Sequence, residues 1–158
     1  MKENNRSKNG RIIGTIGVVM VLLSLFLPFA KSGKETKSLI GIAKIYITSN
    51  SSMWNDKSYE TFYKAFVPIM LGLIVLFALL YLFKCLKGKK VGMIISNILI
   101  IVSYEVIKWD FADRRVVPGA CDRGIAFLVM YIAFAVMILG VIFEIIESNK
   151  AKRNMSNE

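Results

Sequence analysis

Four long apolar runs divide the chain and leave few folds open to it. They cover residues 12–30, 65–83, 91–107 and 124–146, and each is nearly free of charged side chains. An α-helix needs about 17–25 residues to cross a hydrocarbon core of about 30 Å, and all four runs fall in that range. Because a segment in lipid must satisfy its own backbone hydrogen bonds, such runs are predicted to be helices. The sequence therefore predicts an all-α membrane protein built as a bundle of four transmembrane helices.

The composition supports a membrane protein over other classes. The chain of 158 residues is 55% hydrophobic, and its 21 Lys and Arg residues outnumber 11 Asp and Glu residues. The basic residues lie in the gaps between the apolar runs, which favours contact with anionic lipid and argues against nucleic acid as a partner. There is no His, no paired acid within a run and no Ser–Lys pair within a run. We therefore expect a single integral membrane domain over residues 1–158, without enzymatic activity, cofactor or metal.

Basic residues also predict the orientation of the chain. Those of the two termini and of the inner loop, residues 84–90, are concentrated in short segments next to the apolar runs. The positive-inside rule places such segments in the cytoplasm, so residues 31–64 and 108–123 become outer loops. The first run is too long for the apolar part of an ordinary signal peptide and is interpreted as an uncleaved span. We expect a multi-pass protein of the cell (plasma) membrane with both termini cytoplasmic.

This orientation predicts the positions of the two cysteines. Cys85 is predicted at the inner surface and Cys121 at the outer surface, a bilayer apart. The Cα atoms of a disulfide lie within about 7 Å, so the two residues are not expected to pair. Whether Cys85 is acylated stays open at this point.

The first outer loop is the one segment between the runs that is large enough to fold on its own. Its stretch Leu39 to Thr48 is rich in Ile and ends at a cluster of Ser and Asn, a pattern that predicts a β-strand or hairpin arm. A strand needs a partner, so we expect a small extracellular β-hairpin-like element. With Trp54 it forms a candidate recognition surface, and the alternative is an ordinary packed loop.

Polar residues of the third run are the candidates for function. Glu105 lies one or two turns below the predicted outer surface, and Lys108 three residues later can pair with it. We interpret Glu105 as an ion-pair residue at the helix boundary, with a functional membrane carboxylate as the alternative. Asn97 is placed to hydrogen-bond a neighbouring helix. Trp109 flanks the run, as expected of an aromatic residue at the membrane interface.

Small residues predict where the helices pack. Helix backbones in lipid approach most closely at Gly, Ala and Ser. Every run carries such residues at helical spacing, and the candidate packing positions are Gly14, Gly72, Ser96, Ala133 and Gly140.

The layout resembles the claudin-type tetraspan architecture: four spans, cytoplasmic ends, a long first outer loop with strand character and a short second one. The resemblance concerns the order of segments over most of the chain. It does not extend to the claudin loop motif, because Trp54 stands alone in a loop without Cys. The Lys-, Asn- and Ile-rich style, with "LSLFLPF" closing the first run, also looks like small uncharacterised tetraspan membrane proteins of Gram-positive bacteria. This second similarity implies a four-helix membrane bundle and no particular activity.

Three functions are compatible with these features. The favoured one is a non-enzymatic membrane protein that acts by protein–protein interaction, as an accessory subunit, an immunity-type protein or an envelope-organising protein. Its partner would be a membrane or extracellular protein, or a second copy of itself. The alternative is a small oligomeric transporter or channel subunit whose path is lined by the third run, and a membrane enzyme is the least favoured.

Overall fold

The structure, a computed structural model, describes residues 8–48, 57–113 and 116–156. It is mostly helical, and within these ranges it contains five helices and a small sheet of three strands. In chain order the elements are α1 (Lys8–Ser24), β1 (Pro28–Ser32), β2 (Glu35–Ser38), α2 (Leu39–Thr48), α3 (Lys57–Leu86), α4 (Lys90–Asp113), β3 (Asp122–Arg123) and α5 (Ala126–Ser156). Between α4 and β3 lies a kinked loop, residues 116–121, in which the backbone of Val117 and Pro118 is not helical.

Three of the described helices are long and apolar enough to cross a membrane, namely α3, α4 and α5. They contain the second, third and fourth apolar runs, so helices are confirmed for those runs. All three helices continue past the predicted ends, since α3 begins at Lys57, α4 ends at Asp113 and α5 reaches Ser156. Helix α1 is also apolar, but it is too short to count as a membrane-crossing helix by length. The predicted fourth span is therefore not confirmed.

The end of the first run departs from the prediction. Residues 12–30 were expected to form one continuous helix, but α1 ends at Ser24 and Pro28 opens strand β1. The last turn tightens through hydrogen bonds from residue i to i−3, in which Leu27 N–H donates to Ser24 O at 3.2 Å. Pro28 has no N–H and disfavours helical angles in the residue before it, which ends the helix here.

The prediction of a β-strand over residues 39–48 of the first outer loop is also wrong. Leu39 to Thr48 forms helix α2. The Ser38 hydroxyl caps it by accepting a hydrogen bond from Gly41 N–H at 3.1 Å. The buried residues Leu39, Ile42 and Ala43 are spaced by three and one, so they share one helical face. This spacing and the capping Ser outweigh the strand preference of the isoleucines.

A β-hairpin does exist, but it lies earlier in the chain than expected. Strands β1 and β2 pair antiparallel up to Ser32 and Glu35, which leaves Gly33 and Lys34 as a two-residue turn. Gly33 has a φ of +58°, a left-handed conformation that favours glycine. The hairpin-like element is therefore formed by residues 28–38.

Strand β3 fixes the hairpin to the start of α5. It pairs with the other edge of β1, which gives the sheet order β2-β1-β3. Next to it, Gly124 N–H donates to Phe29 O at 2.8 Å. A Cβ on Gly124 would lie 2.0 Å from Pro28 O, so this close approach requires glycine.

An aromatic cluster holds the sheet and α2 on the ends of the long helices. Phe29 is fully buried and stacks on Phe127 of α5, with 4.3 Å between ring centroids. Its ring also contacts Phe111 and Tyr104 of α4. Tyr46 of α2 reaches the same cluster through Phe111. We refer to β1, β2, β3, α2 and the loop 116–121 as the cap, and to the opposite end of the bundle, where α3 turns into α4, as the turn end.

Candidate functional site

At the cap end, Glu105 belongs to a three-residue polar cluster. Its carboxylate forms an ion pair with Lys108 and accepts a hydrogen bond from the Tyr131 hydroxyl at 2.6 Å. Lys108 also donates to the Tyr131 oxygen at 2.5 Å. The cluster therefore joins α4 to α5. The Glu105 side chain is 40% exposed, so it lies at the periphery of the bundle and not in its interior.

The side of α4 that faces the interior of the bundle carries a different set of polar groups. Ser96, Asn97, Ser103 and Tyr104 are buried. Ser103 donates back to Leu99 O at 2.8 Å, which satisfies its hydroxyl within the helix. Within the described residues, Asn97 Oδ1 and the Tyr104 hydroxyl are buried without a hydrogen-bond partner. They lie seven residues apart and hence on one face of the helix, at separate depths in the bundle.

Helices α1 and α5 pack backbone against backbone along most of α1. A Cβ on Gly140 would lie 2.7 Å from both the Cα and the N of Gly14. A Cβ on Gly17 would meet the backbone of Met137 and Ala133 at 2.9 and 3.2 Å. Three of the candidate packing positions, Gly14, Ala133 and Gly140, thus lie in one helix seam.

The other candidates lie elsewhere. Gly72 is exposed, and a Cβ there would meet no described atom within 4 Å, so this glycine makes no helix contact within the described chain. Trp109 is 70% exposed on α4. Trp54 falls outside the described residues. The free thiols lie at opposite ends, with Cys85 buried near the turn end and Cys121 half-buried in the cap.

The turn end contains an ion pair that the sequence analysis missed. Glu144 of α5 is buried, and its Oε2 lies 4.0 Å from Nε of Arg11 on α1. Gly10, one turn along the same seam, would bring a Cβ to 2.7 Å from the backbone N of Glu144. The sequence does contain a hint of this pair, since Glu144 lies near the end of the fourth apolar run and Arg11 directly precedes the first. Nothing in the sequence shows that α1 and α5 are neighbours, which is what brings the two together.

The turn between α3 and α4 closes over this pair. Gly88 N–H donates to Cys85 O at 3.0 Å, and Lys89 N–H donates to Lys84 O at 2.9 Å, the hydrogen-bond pattern of a Schellman motif. Gly88 has a φ of +63°. A Cβ on it would lie 3.0 Å from Arg11 Nη2 and 3.1 Å from Glu144 Oε1. The backbone of the turn thus lies against the ion pair, in which Glu144 is buried and the Arg11 side chain is 36% exposed.

Metal-ligating side chains do not cluster at either end of the bundle within the described ranges. No group of three or more His, Cys, Asp or Glu residues there could hold a metal ion. The polar cluster around Glu105 is closed, because its three groups bind one another. Each end of the bundle has a distinct exposed surface, the folded cap at one end and the lysine-rich turn at the other.

Comparisons of the chain with protein-family models, with curated proteins and with solved structures return no match. Its function therefore has to be inferred from its own residues.

Proposed function

We propose that this is a four-span protein of the plasma membrane, with both termini cytoplasmic, which acts without catalysis by binding another protein through its cap. The observation that carries the proposal is the cap itself. It is a small folded unit held on the helix ends by the buried Phe29, and residues 31–37 of its hairpin are all exposed.

The fourth span is supported by the way α1 follows α5. The contacts run antiparallel from Gly10 at Glu144, through Gly14 at Gly140, to Phe29 at Phe127. This stretch of α5 rises about 26 Å, most of a hydrocarbon core. This supports α1 together with residues 25–29, which continue it to the cap, as a fourth crossing segment beside α5.

The outer face of α1 fits lipid contact. Its exposed apolar residues recur every three or four positions and form a single stripe, which consists of Ile12, Ile16, Val19 and Leu23. An uninterrupted apolar stripe on a helix of a water-soluble protein would be unusual, because large exposed apolar patches on monomers are rare. In lipid, this stripe is the expected surface.

The orientation is supported by the charges of the turn end. Arg11, Lys84, Lys87, Lys89 and Lys90 lie in short segments at the ends of α1, α3 and α4. Short basic segments next to spans favour the cytoplasmic side. The cap is then extracellular.

The cap combines two kinds of surface suited to a protein partner. The hairpin is basic and exposed, and α2 exposes three isoleucines, Ile40, Ile45 and Ile47. Exposed apolar side chains beside charged ones are typical of interaction surfaces. The proposed partner is a membrane or extracellular protein, or a second copy of the chain.

The test is in-cell photo-crosslinking from the hairpin. A photoreactive amino acid replaces Lys34 at the turn, and the control variant carries it at Ile98, which is 54% exposed on the side of α4. We expect Lys34 to give one partner adduct that Ile98 does not give. Identical products from both positions, or none from Lys34, would refute recognition through the cap.

The topology is tested separately. Reporter tags at the two termini are expected on the same cytoplasmic side of the membrane. Tags on opposite sides would show three spans and would refute the membrane crossing of α1.

One observation favours a second function, a small oligomeric transporter or channel subunit. Asn97 Oδ1 and the Tyr104 hydroxyl have no partner inside the described bundle, and a buried unpaired polar group costs about 1–3 kcal/mol. A path that carries water or a ligand past α4 would satisfy them. Under this function Asn97→Leu abolishes flux in reconstituted vesicles, whereas under the first function cap crosslinking is unaffected by it.

A further inference from the structure

The turn end carries an open depression that the proposed function does not use. It has a volume of about 390 Å³ and lies where α3 turns into α4. The lining residues are Lys84, Gly88, Lys89, Lys90, Val91 and Gly92.

Two glycines shape this depression. Gly88 takes the left-handed conformation that lets the chain reverse, and it leaves no side chain above the turn. A Cβ on Gly92 would lie 2.7 Å from Lys84 Cγ, so the aliphatic stem of Lys84 rests directly on the α4 backbone. The depression is therefore lined by backbone and methylene groups and bordered by Lys84, Lys89 and Lys90, which we call its rim.

The charge of the rim is uncompensated within the described part of the chain. Neither ion pair described above includes Lys84, Lys89 or Lys90. The acid behind the turn, Glu144, faces the Arg11 guanidinium. Glu144 Oε1 would lie 3.1 Å from a Cβ on Gly88, but Arg11 balances its charge, so the three lysines of the lining leave a net positive charge that attracts an anion.

We propose that the depression binds the phosphate headgroup of an anionic phospholipid. Its position at the ends of two membrane-crossing helices is the level of the headgroups, and basic pockets between helices on the cytoplasmic side bind such groups. Val91 is 71% exposed beside the lysines, and Ile94 and Ile95 continue the exposed apolar surface along α4. An acyl chain can follow that surface while its phosphate contacts the rim, which favours a lipid over free phosphate.

This site rests on the membrane insertion of α3 and α4 in the proposed function, but not on a cap partner. The two proposals fail in different assays. Lipid binding is measured on the purified chain, whereas the cap is tested by crosslinking in cells.

The test is native mass spectrometry of the full-length chain in a non-ionic detergent. The lipid probes are phosphatidylglycerol and phosphatidylcholine, and inorganic phosphate is the competitor. The site variant combines Lys84→Gln, Lys89→Gln and Lys90→Gln. The control variant makes the same change in charge at the exposed hairpin lysines, Lys31, Lys34 and Lys37.

We expect phosphatidylglycerol to bind in preference to phosphatidylcholine, and its binding to weaken at least about tenfold in the site variant. The control variant is expected to bind like the wild type. Equal loss in both variants would show a general charge effect and overturn the site. Displacement of the lipid by inorganic phosphate would identify free phosphate as the ligand and overturn the lipid assignment.

A second variant changes the shape of the depression without changing its net charge. Gly92→Leu keeps all three lysines, fills the depression and displaces the side chain of Lys84, whose Cγ would lie 2.7 Å from a Cβ at this position. It is expected to lose phosphatidylglycerol binding while its elution volume and melting curve stay those of the wild type. Wild-type affinity in this variant would mean that the lysines act as a diffuse basic surface, against the proposal.

Discussion

The seam between α1 and α5 allows a quantitative prediction with a matched control. Gly140→Ala adds one methyl group that would lie 2.7 Å from the Cα and N of Gly14. Both contacts are backbone atoms and cannot rotate away. Ordinary van der Waals contact begins near 3.4 Å, so the two helices have to separate locally. The control is Gly72→Ala on α3, where the same methyl group meets no described atom within 4 Å.

The magnitude follows from two opposing effects. Replacing Gly by Ala in a helix is favourable by about 0.8–1.0 kcal/mol through helix propensity, and this applies to both variants. Overpacking costs about 1–3 kcal/mol and applies to Gly140→Ala alone. A separation of about 0.5–1 Å also forfeits roughly a quarter to a half of the attraction between facing atoms. We therefore expect Gly140→Ala to be less stable than Gly72→Ala by about 1–3 kcal/mol.

The assay is thermal unfolding of the purified variants in one detergent, followed by circular dichroism. For a chain of this size the expected difference between the two midpoints is about 2–12 °C. The comparison removes helix propensity, because the same substitution is made at both sites. Equal midpoints would refute the argument that backbone contact at Gly140 holds α1 against α5.

Three further predictions concern the cap, the turn and the polar cluster. Phe29→Ala removes the buried ring that joins the cap to α4 and α5, so we expect a loss of about 3–5 kcal/mol in unfolding free energy and faster tryptic cleavage at the hairpin lysines; unchanged cleavage would contradict this anchoring role. Gly88→Ala puts a Cβ into a left-handed position against Arg11 and Glu144, and is expected to lower stability by at least about 1–2 kcal/mol in the same melting assay; a wild-type melting curve would count against the turn geometry. Glu105→Gln breaks a partly exposed ion pair and is expected to change stability by less than about 1 kcal/mol while keeping cap crosslinking; loss of crosslinking or of flux would give Glu105 a functional role.

The long helices could be predicted from the sequence because the property that specifies them, a long apolar run, is local. In each of the last three runs nearly every residue is apolar, and backbone hydrogen bonding in lipid leaves helix as the solution. The pairing of Glu105 with Lys108 was also readable, since residues three apart on a helix are neighbours. Tyr131 could not be added to that cluster, because it comes from α5 and its distance depends on how α4 and α5 pack.

The errors arose where two local preferences competed. The isoleucines of Leu39–Thr48 favour a strand, whereas their spacing and the capping hydroxyl of Ser38 favour the helix that forms. At the end of the first run, the apolar composition favours a continued helix, whereas Pro28 ends the helix and begins β1. Both segments also contact the aromatic cluster, Phe29 through Phe127 and Tyr46 through Phe111, and these partners come from distant parts of the chain.

Hydropathy and charge are properties of single segments, so the sequence alone specifies long apolar helices with basic segments beside them. Which glycines touch depends on how the helices pack, since Gly14 and Gly140 meet across a seam while Gly72 faces outward. Helix packing also brings Arg11 and Glu144, more than a hundred residues apart, together as a pair beneath Gly88. Contacts of this kind depend on which helices are neighbours and how they are rotated, and no single segment encodes either.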